Sequence, residues 1–452
     1  MKAWFIMVTA LVLLAACDQS AQDNTALTEN SPVSQKGFNE KEIDSILDGY
    51  KNRENFMGSV AILKDGIPVY SYVSGYSDYE SEKLSSTDTK YRIGSISKSF
   101  TALLALMAVE EGKLSLTQTL EKFYPAIPNA EKITIEHMLN HRSGIHSYTR
   151  DPNFMQFLKN GVTVDEMTKT ITSYPSDFMP GTKEAYSNSN AYLLTLILEG
   201  TYQQPYAKLI ESKITEPLSL KNTYYAEELS ASRDEAYSYH NKSTVKRAEE
   251  ADHSAMLGAG GLVSTPTDLV KFYDAVFSGK MLHGDTLSKM LAIDDTFGLG
   301  VQKFTYAGKT SFGHRGRVDE FNSIALYNPE ERISLAIIDN SSFSEMPTIA
   351  KDLLNAYFKE NNVSISIETL EKFVGTYKSV KGPDDHDTVF EREGDKLILV
   401  IAGEFREVLI YKGNNTFLFD QSYAPAITFI FSEDGKKFKY EQESEYRYIK
   451  QN

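Results

Sequence analysis

Ser95 and Lys98 stand three residues apart in Arg92-Ile-Gly-Ser-Ile-Ser-Lys98, directly ahead of the apolar run Phe100–Val109. At the start of a helix that spacing puts both side chains on one face, one turn apart. The amine can then accept the hydroxyl proton. The positive end of the helix dipole favours the alkoxide by roughly 0.3–1 kcal/mol, and burial lowers a lysine's pKa until it can act as a base. The chemistry implied is attack of a serine on a carbonyl. The same spacing recurs at Ser243-Thr-Val-Lys246, inside the polar stretch Asn241–Glu250. Nothing there desolvates the amine, and a solvated loop is expected.

The surroundings separate the two copies. Tyr91-Arg-Ile-Gly-Ser-Ile-Ser-Lys-Ser-Phe-Thr-Ala102 resembles the nucleophile segment of the class C β-lactamase and penicillin-binding-protein-like serine hydrolases. Further segments similar to motifs of that family follow in order: Ile133-Thr-Ile-Glu-His-Met-Leu-Asn-His-Arg-Ser-Gly-Ile145, Pro180-Gly-Thr182 with Tyr186-Ser-Asn188, Gly258-Ala-Gly-Gly-Leu-Val-Ser-Thr265, and Phe312-Gly-His-Arg-Gly316. The resemblance extends roughly from residue 41 to residue 360. It implies a serine hydrolase that acts through an acyl-enzyme on an ester, amide or peptide carbonyl, with Ser95 as nucleophile. Tyr186 would relay protons between Ser95, Lys98 and the leaving group. A phenol titrates near ~10, so Tyr186 serves as a base only beside a cation, and Lys98 is expected to be that cation. Asn188 would hydrogen-bond Lys98 and the substrate's amide oxygen. The backbone amides of Ser95 and Arg317 would form the oxyanion hole, each donor worth roughly 2.7–4 kcal/mol.

His314-Arg-Gly316 stands where many β-lactamases of that family carry Lys-Thr-Gly. Gly316 is expected to let the substrate backbone approach closely. An imidazole is largely neutral above a pKa of ~6.5, so His314 is no permanent cation for a β-lactam carboxylate, and Arg315 or Arg317 would have to supply one. D-peptidase or esterase action is therefore expected ahead of efficient β-lactam hydrolysis. The alternative is a catalytically slow or inactive lipoprotein of the cell envelope that binds peptidoglycan fragments or a protein partner.

His137 and His141 have the spacing of two ligands on one helix face, with His146 nearby, but Met138 occupies the place where a zinc protease motif needs glutamate. These histidines are read as packing the helix and the Arg142-Ser-Gly turn, and neither a metal nor a cofactor is expected. Gly-x-Ser-x-Gly, the nucleophile-elbow pattern of α/β-hydrolases, is absent.

Positioning these groups requires a framework. Val60–Leu63, the turn Lys64-Asp-Gly-Ile67 and Pro68–Val73 read as a β-hairpin, since Asp-Gly supplies positive backbone dihedrals. A second hairpin is expected from Asn322–Tyr327, the turn Asn328–Glu331 and Ile333–Ile338, and two hairpins so far apart suggest one antiparallel sheet closed by both ends of a domain. Phe100–Glu111, apolar nearly all round and stopped by Gly112, predicts a buried central helix. A helix over Met346–Glu360 ends the domain, and 361–366 reads as a linker. Beyond Leu370 the pattern is alternating strands punctuated by turns such as Glu393-Gly-Asp395. The fold class is thus mixed α/β of the α+β type: an antiparallel sheet flanked by helices with an inserted helical region, β-lactamase/transpeptidase-like by resemblance, over 41–362. A small all-β domain, similar to appended lipocalin-like modules, follows over 366–452.

The chain has 452 residues, a formal charge of −15 and a pI near 5.1. It is long enough for more than one domain, and its acidity argues against nucleic acid or anionic lipid as a ligand. A small molecule or peptide is the expected substrate. The start of the chain, Lys2 followed by Phe5–Leu14, reads as a signal peptide over 1–16, too short to span a membrane. Leu14-Ala-Ala-Cys17 resembles a bacterial lipobox, so Cys17, the single cysteine, is expected to carry lipid. Residues 17–40 then form a polar tether, and the protein is expected as an exported envelope lipoprotein anchored by Cys17 at the periplasmic face of the inner or outer membrane.

Overall fold

The computed structural model describes residues 40–54, 56–225, 228–241, 244–306, 308–341, 346–358, 365–381, 387–401, 405–419, 427–441 and 445–451. The expected signal peptide, Cys17 and tether lie outside the described residues, as does most of the expected linker at 361–366. Among the described residues no helix is long and apolar enough to cross a membrane.

Six antiparallel strands form the main sheet: β1 (Gly58–Lys64), β2 (Ile67–Ser74), β3 (Gln302–Tyr306), β4 (Lys309–Val318), β5 (Phe321–Asn328) and β6 (Ile333–Asp339), in the order β3-β4-β5-β6-β1-β2. Both expected hairpins form. The first turns on Asp65 and Gly66, at φ 53° and 78°, the positive dihedrals that Asp-Gly tolerates. Strand β1 pairs with β6 from Gly58↔Asp339 to Lys64↔Ile333, so the two ends of the domain do meet in one sheet.

The central strands read as continuous apolar runs because both faces are covered. Val60, Ile62, Ile324, Leu326, Leu335 and Ile337 pack toward α1 (Glu40–Glu54) and the domain's last helix, Met346–Phe358. The alternate residues Ala61, Ala325, Ala336 and Ile338 face the opposite core, with the helix Pro266–Phe277 over them. Ala61 and Ala325 both pair with Ala336, and this row of small side chains lets that helix sit close to the sheet.

Between β2 and β3 lies the helical region. Its centre is α2 (Ser97–Glu110), buried from Ser97 through Leu106, and Gly112 at φ 68° closes its end. Its polar side chains all find partners, as burial demands. Ser97 Oγ accepts from the Leu262 amide at 3.1 Å, Ser99 Oγ donates to Gly300 O at 2.9 Å, and Thr101 Oγ1 donates to Gly258 O at 2.8 Å.

The last eight strands, from Gly375–Lys381 to Glu445–Lys450, close into a barrel with each strand beside its neighbour in sequence. Closure removes the sheet edges. Its interior is filled with rings: Phe390, Phe417, Phe431 and Phe438 are buried, with Phe390 and Phe431 centroids 5.1 Å apart. The similarity to lipocalin-like modules thus holds for strand arrangement, whereas the centre is a packed aromatic core. The barrel touches the main domain where Leu418 meets the β3–β4 turn at Gly308.

Candidate active site

Ser95 lies in a single 3-10 turn, Gly94–Ile96, that leads into α2. Strand β4 fixes this turn in place. A Cβ on Gly316 would lie 1.9 Å from Ile93 O, and one on Gly94 would lie 2.7 Å from the Arg317 amide nitrogen, so only glycines allow the two backbones to meet. The turn also needs φ +50° at Gly94, a left-handed value that favours glycine. Ser323 Oγ donates to Ile93 O at 3.0 Å from the next strand. Two residues ahead of Gly94, the buried Arg92 guanidinium pairs with Asp319 at 3.0 Å in the β4–β5 turn and donates to Ala251 O at 2.7 Å.

Gly316 borders the cleft, and its lack of a side chain also makes room for the Ile93 carbonyl. Gly316→Ala is expected to lower stability by roughly 1–3 kcal/mol, the usual cost of overpacking; a thermal midpoint equal to wild type would refute this account of the glycine.

Lys98 is buried on the first turn of α2. Its Nζ lies 3.1 Å from Ser95 Oγ, and it donates to Asn188 Oδ1 at 2.8 Å and to Ala259 O at 2.6 Å. Burial holds its pKa well below the ordinary lysine value. Asn188, the first residue of the helix Asn188–Tyr202, uses Oδ1 on Lys98 and donates from Nδ2 to Thr149 Oγ1 at 3.2 Å. It stands behind the lysine and makes the bond to Lys98 that was expected of it.

Tyr186 faces the same centre, with Lys98 Nζ 5.0 Å from its ring centroid. Burial pushes the phenol up, while the Ser95 hydroxyl and the Arg315 charge pull it back. The two shifts act in opposite directions, up for the phenol and down for the amine, both through burial. His314 is buried at the cleft edge, and burial together with the nearby Lys98 lowers it to about 3. Its Nδ1–H donates to Arg315 O at 2.6 Å, leaving Nε2 as the acceptor. It is therefore neutral over a wider range than expected.

His137 and His141 do not share a helix face. The helix there covers only Ile135–Leu139, with His137 accepting from its own N-cap amide at Thr134, and the chain turns at His141 with φ 57°. His141 instead reaches the site, its ring 4.5 Å from Tyr186 and 4.8 Å from Phe297. His146 pairs with Asp177 at 2.8 Å. No cluster able to hold a metal occurs among the described residues. The second Ser-x-x-Lys copy also stays apart from the site: Lys246 is exposed on a small hairpin, Tyr239–Asn241 with Val245–Arg247, rather than in a loop, and Ser243 is outside the described residues.

The cleft in front of Ser95 has a volume of about 430 Å³, and Tyr186, Phe297, Gln302, His314, Arg315 and Arg317 are among its walls. Arg315 and Arg317 are both exposed. Phe297 is set in place by Glu184, whose Oε2 accepts from the amides of Thr296 and Phe297 at 3.4 and 3.2 Å. Gln302 was not legible as a site residue. Its Oε1 is buried with no hydrogen-bond partner among the described residues, and only the pairing of Gln302 with Gly313 brings it beside His314.

The family model described as Beta-lactamase matches residues 45–357, more than half of the chain. The chain belongs to the Beta-lactamase family. It is 24% identical to Protein flp of Staphylococcus aureus (strain MRSA252) over 75% of this chain and 71% of that one. Among solved structures, D-amino acid amidase from Ochrobactrum anthropi SV3, complexed with L-phenylalanine amide, superposes with a TM-score of 0.64 at 26% identity, covering 71% of this chain and 98% of that one. The octameric penicillin-binding protein homologue from Pyrococcus abyssi gives a TM-score of 0.64 at 25% identity and covers 91% of this chain and 99% of that one, a span that includes barrel residues. Membership of this family and these neighbours support chemistry of the serine-hydrolase type.

Proposed function

We propose that this protein hydrolyses amide or ester carbonyls through an acyl-enzyme on Ser95, with aminoacyl amides and peptides of D-configuration ahead of β-lactams. The observation that carries the reading is the bonding of Lys98. A neutral amine has two N–H bonds, which go to Asn188 Oδ1 and Ala259 O, and one lone pair, which is left for the Ser95 hydroxyl 3.1 Å away. Nζ takes that proton as Oγ bonds to the substrate carbon. The carbonyl electron pair moves onto oxygen, where the amides of Ser95 and Arg317 would hold it. Collapse of the intermediate breaks the bond to the leaving group, which receives the proton from Lys98 through the Tyr186 phenol. Water then attacks the acyl-enzyme, gives its proton along the same path, and Ser95 leaves with a proton restored.

The D-amino acid amidase neighbour supports an aminoacyl substrate. The unpartnered Oε1 of Gln302 supports one that carries an N–H, since a buried acceptor without a donor costs roughly 1–3 kcal/mol that such a group would recover. Intact-protein mass spectrometry after mixing with D-aminoacyl amides and esters, peptides and a penicillin is the test. An acyl adduct or turnover is expected first with the D-aminoacyl compounds. Neither adduct nor turnover with any of them would favour a binding role instead.

The reading places the protein at the cell envelope, held by lipid on Cys17, on the strength of the apolar run and the Leu14-Ala-Ala-Cys17 sequence. Cells fed a labelled fatty acid are expected to label the wild type and not Cys17→Ser; equal labelling would exclude that anchor.

A further inference from the structure

His141 grips the chain on both sides of Tyr186. Its carbonyl oxygen accepts from the Ala185 amide at 2.9 Å, and its ring Nδ1 accepts from the Ser187 amide at 3.2 Å. One residue therefore holds the amides of the residue before the tyrosine and of the residue after it. The side chain and the carbonyl face the same segment, 185–187, from a residue at φ 57°, in the left-handed region. The ring packs against the Tyr186 ring at 4.5 Å, and Phe297 closes the other side, 4.8 Å from His141 and 5.6 Å from Tyr186.

A second layer fixes the imidazole. Asn190 Nδ2 lies 3.3 Å from the same Nδ1, and Ser143 Oγ donates to Asn190 Oδ1 at 2.7 Å. With two N–H donors directed at it, Nδ1 is the unprotonated nitrogen and Nε2 carries the hydrogen. The grip is one rung of a longer pairing: Arg142 O accepts from the Gly181 amide at 2.8 Å while the Arg142 guanidinium donates to Gly181 O at 2.9 Å, and Gly144 O accepts from the Asp177 amide at 2.8 Å. The segment around His141 thus forms the bed for the segment that carries Tyr186 and Asn188. His141 itself is buried and is not among the residues that line the cleft.

From this arrangement we infer that His141 is a positioning residue for Tyr186, setting the phenol at the distance from Ser95 and Lys98 that proton relay requires. The inference rests on the proposed role of Tyr186. A shift of about an ångström in a group that must meet a moving proton is enough to cost a large factor in rate, whereas a ring that only fills space would affect folding alone.

A double-mutant cycle separates these cases, since residues that act as a unit have non-additive effects. His141→Phe keeps the ring but has no acceptor for Ser187. His141→Asn keeps an acceptor and tolerates the left-handed backbone. With a D-aminoacyl ester as probe, His141→Phe is expected to lower kcat about tenfold or more with KM within about twofold. His141→Asn should recover most of that loss. Tyr186→Phe should lower kcat by about a hundredfold or more, as loss of a general acid-base group does, and His141→Phe added to it should change kcat little further. Should the phenylalanine variant fail to fold, His141→Leu, which also lacks an acceptor, completes the same cycle. Single effects that multiply in the double variant, or an asparagine variant as impaired as the phenylalanine one, would overturn the positioning role while leaving Tyr186 in the mechanism. A Tyr186→Phe enzyme with wild-type kcat would remove the role of Tyr186 and this inference with it.

Discussion

Ser95→Ala is expected to lose at least about a thousandfold in turnover of any substrate found, and to form no acyl adduct detectable by intact mass. Removing the nucleophile of a serine hydrolase leaves only binding and oxyanion stabilisation, so residual activity falls by orders of magnitude rather than by a factor. The fold should tolerate the change. Ser95 is only half-buried, and its hydroxyl lies 3.1 Å from a lysine that keeps its bonds to Asn188 and Ala259. An unchanged thermal midpoint with abolished acylation is the expected pair of results. Turnover by the alanine variant within tenfold of wild type would mean that the acyl-enzyme forms elsewhere or not at all.

The second large effect concerns Lys98 and pH. In the proposed mechanism the amine acts only when unprotonated, and burial lowers its pKa well below the usual lysine value. On lowering the pH, kcat/KM should hold until the folded Lys98 pKa is reached and then fall tenfold per unit, because one proton abolishes the base. His314, lowered to about 3, adds no limb in the neutral range. The sign for stability follows from the same shift. Unfolded, the lysine titrates near ~10.4, so between the folded and unfolded values the unfolded chain binds the extra proton, and this group's contribution to stability rises as pH rises. Lys98→Met should lose about a thousandfold in kcat/KM, and its residual rate should lack the acid limb. An acid limb of the same position in Lys98→Met would assign it to another group.

The apparent chemistry of this chain was legible at short range and became ambiguous at long range. Ser95 and Lys98 could be paired from spacing alone, since a helix start brings residues three apart onto one face. Asp65-Gly66 announced its hairpin through local dihedral preference, and the buried strands announced themselves as unbroken apolar runs. Fold class, sheet closure and the position of the central helix follow from such signals, because each is written in contiguous residues.

The rest depended on segments that meet only in three dimensions. A helix period put His137 and His141 on one face, but the helix stops at Leu139 and a left-handed residue turns His141 toward Tyr186. Gly316 suggested substrate approach from its motif, but its contact with the Ile93 carbonyl carries no local signal. Gln302 carries no local signal, and it reaches the cleft, its Oε1 without a hydrogen-bond partner among the described residues, because β3 pairs beside β4. The lowered pKa values of Lys98 and His314 likewise come first from desolvation, a property of everything packed around a group. Sequence by itself therefore determined which residues were chemically capable and which elements would carry them. Tertiary structure alone decided which groups touch and how far their pKa values move, because contact and solvent exclusion are made by atoms tens to hundreds of residues apart.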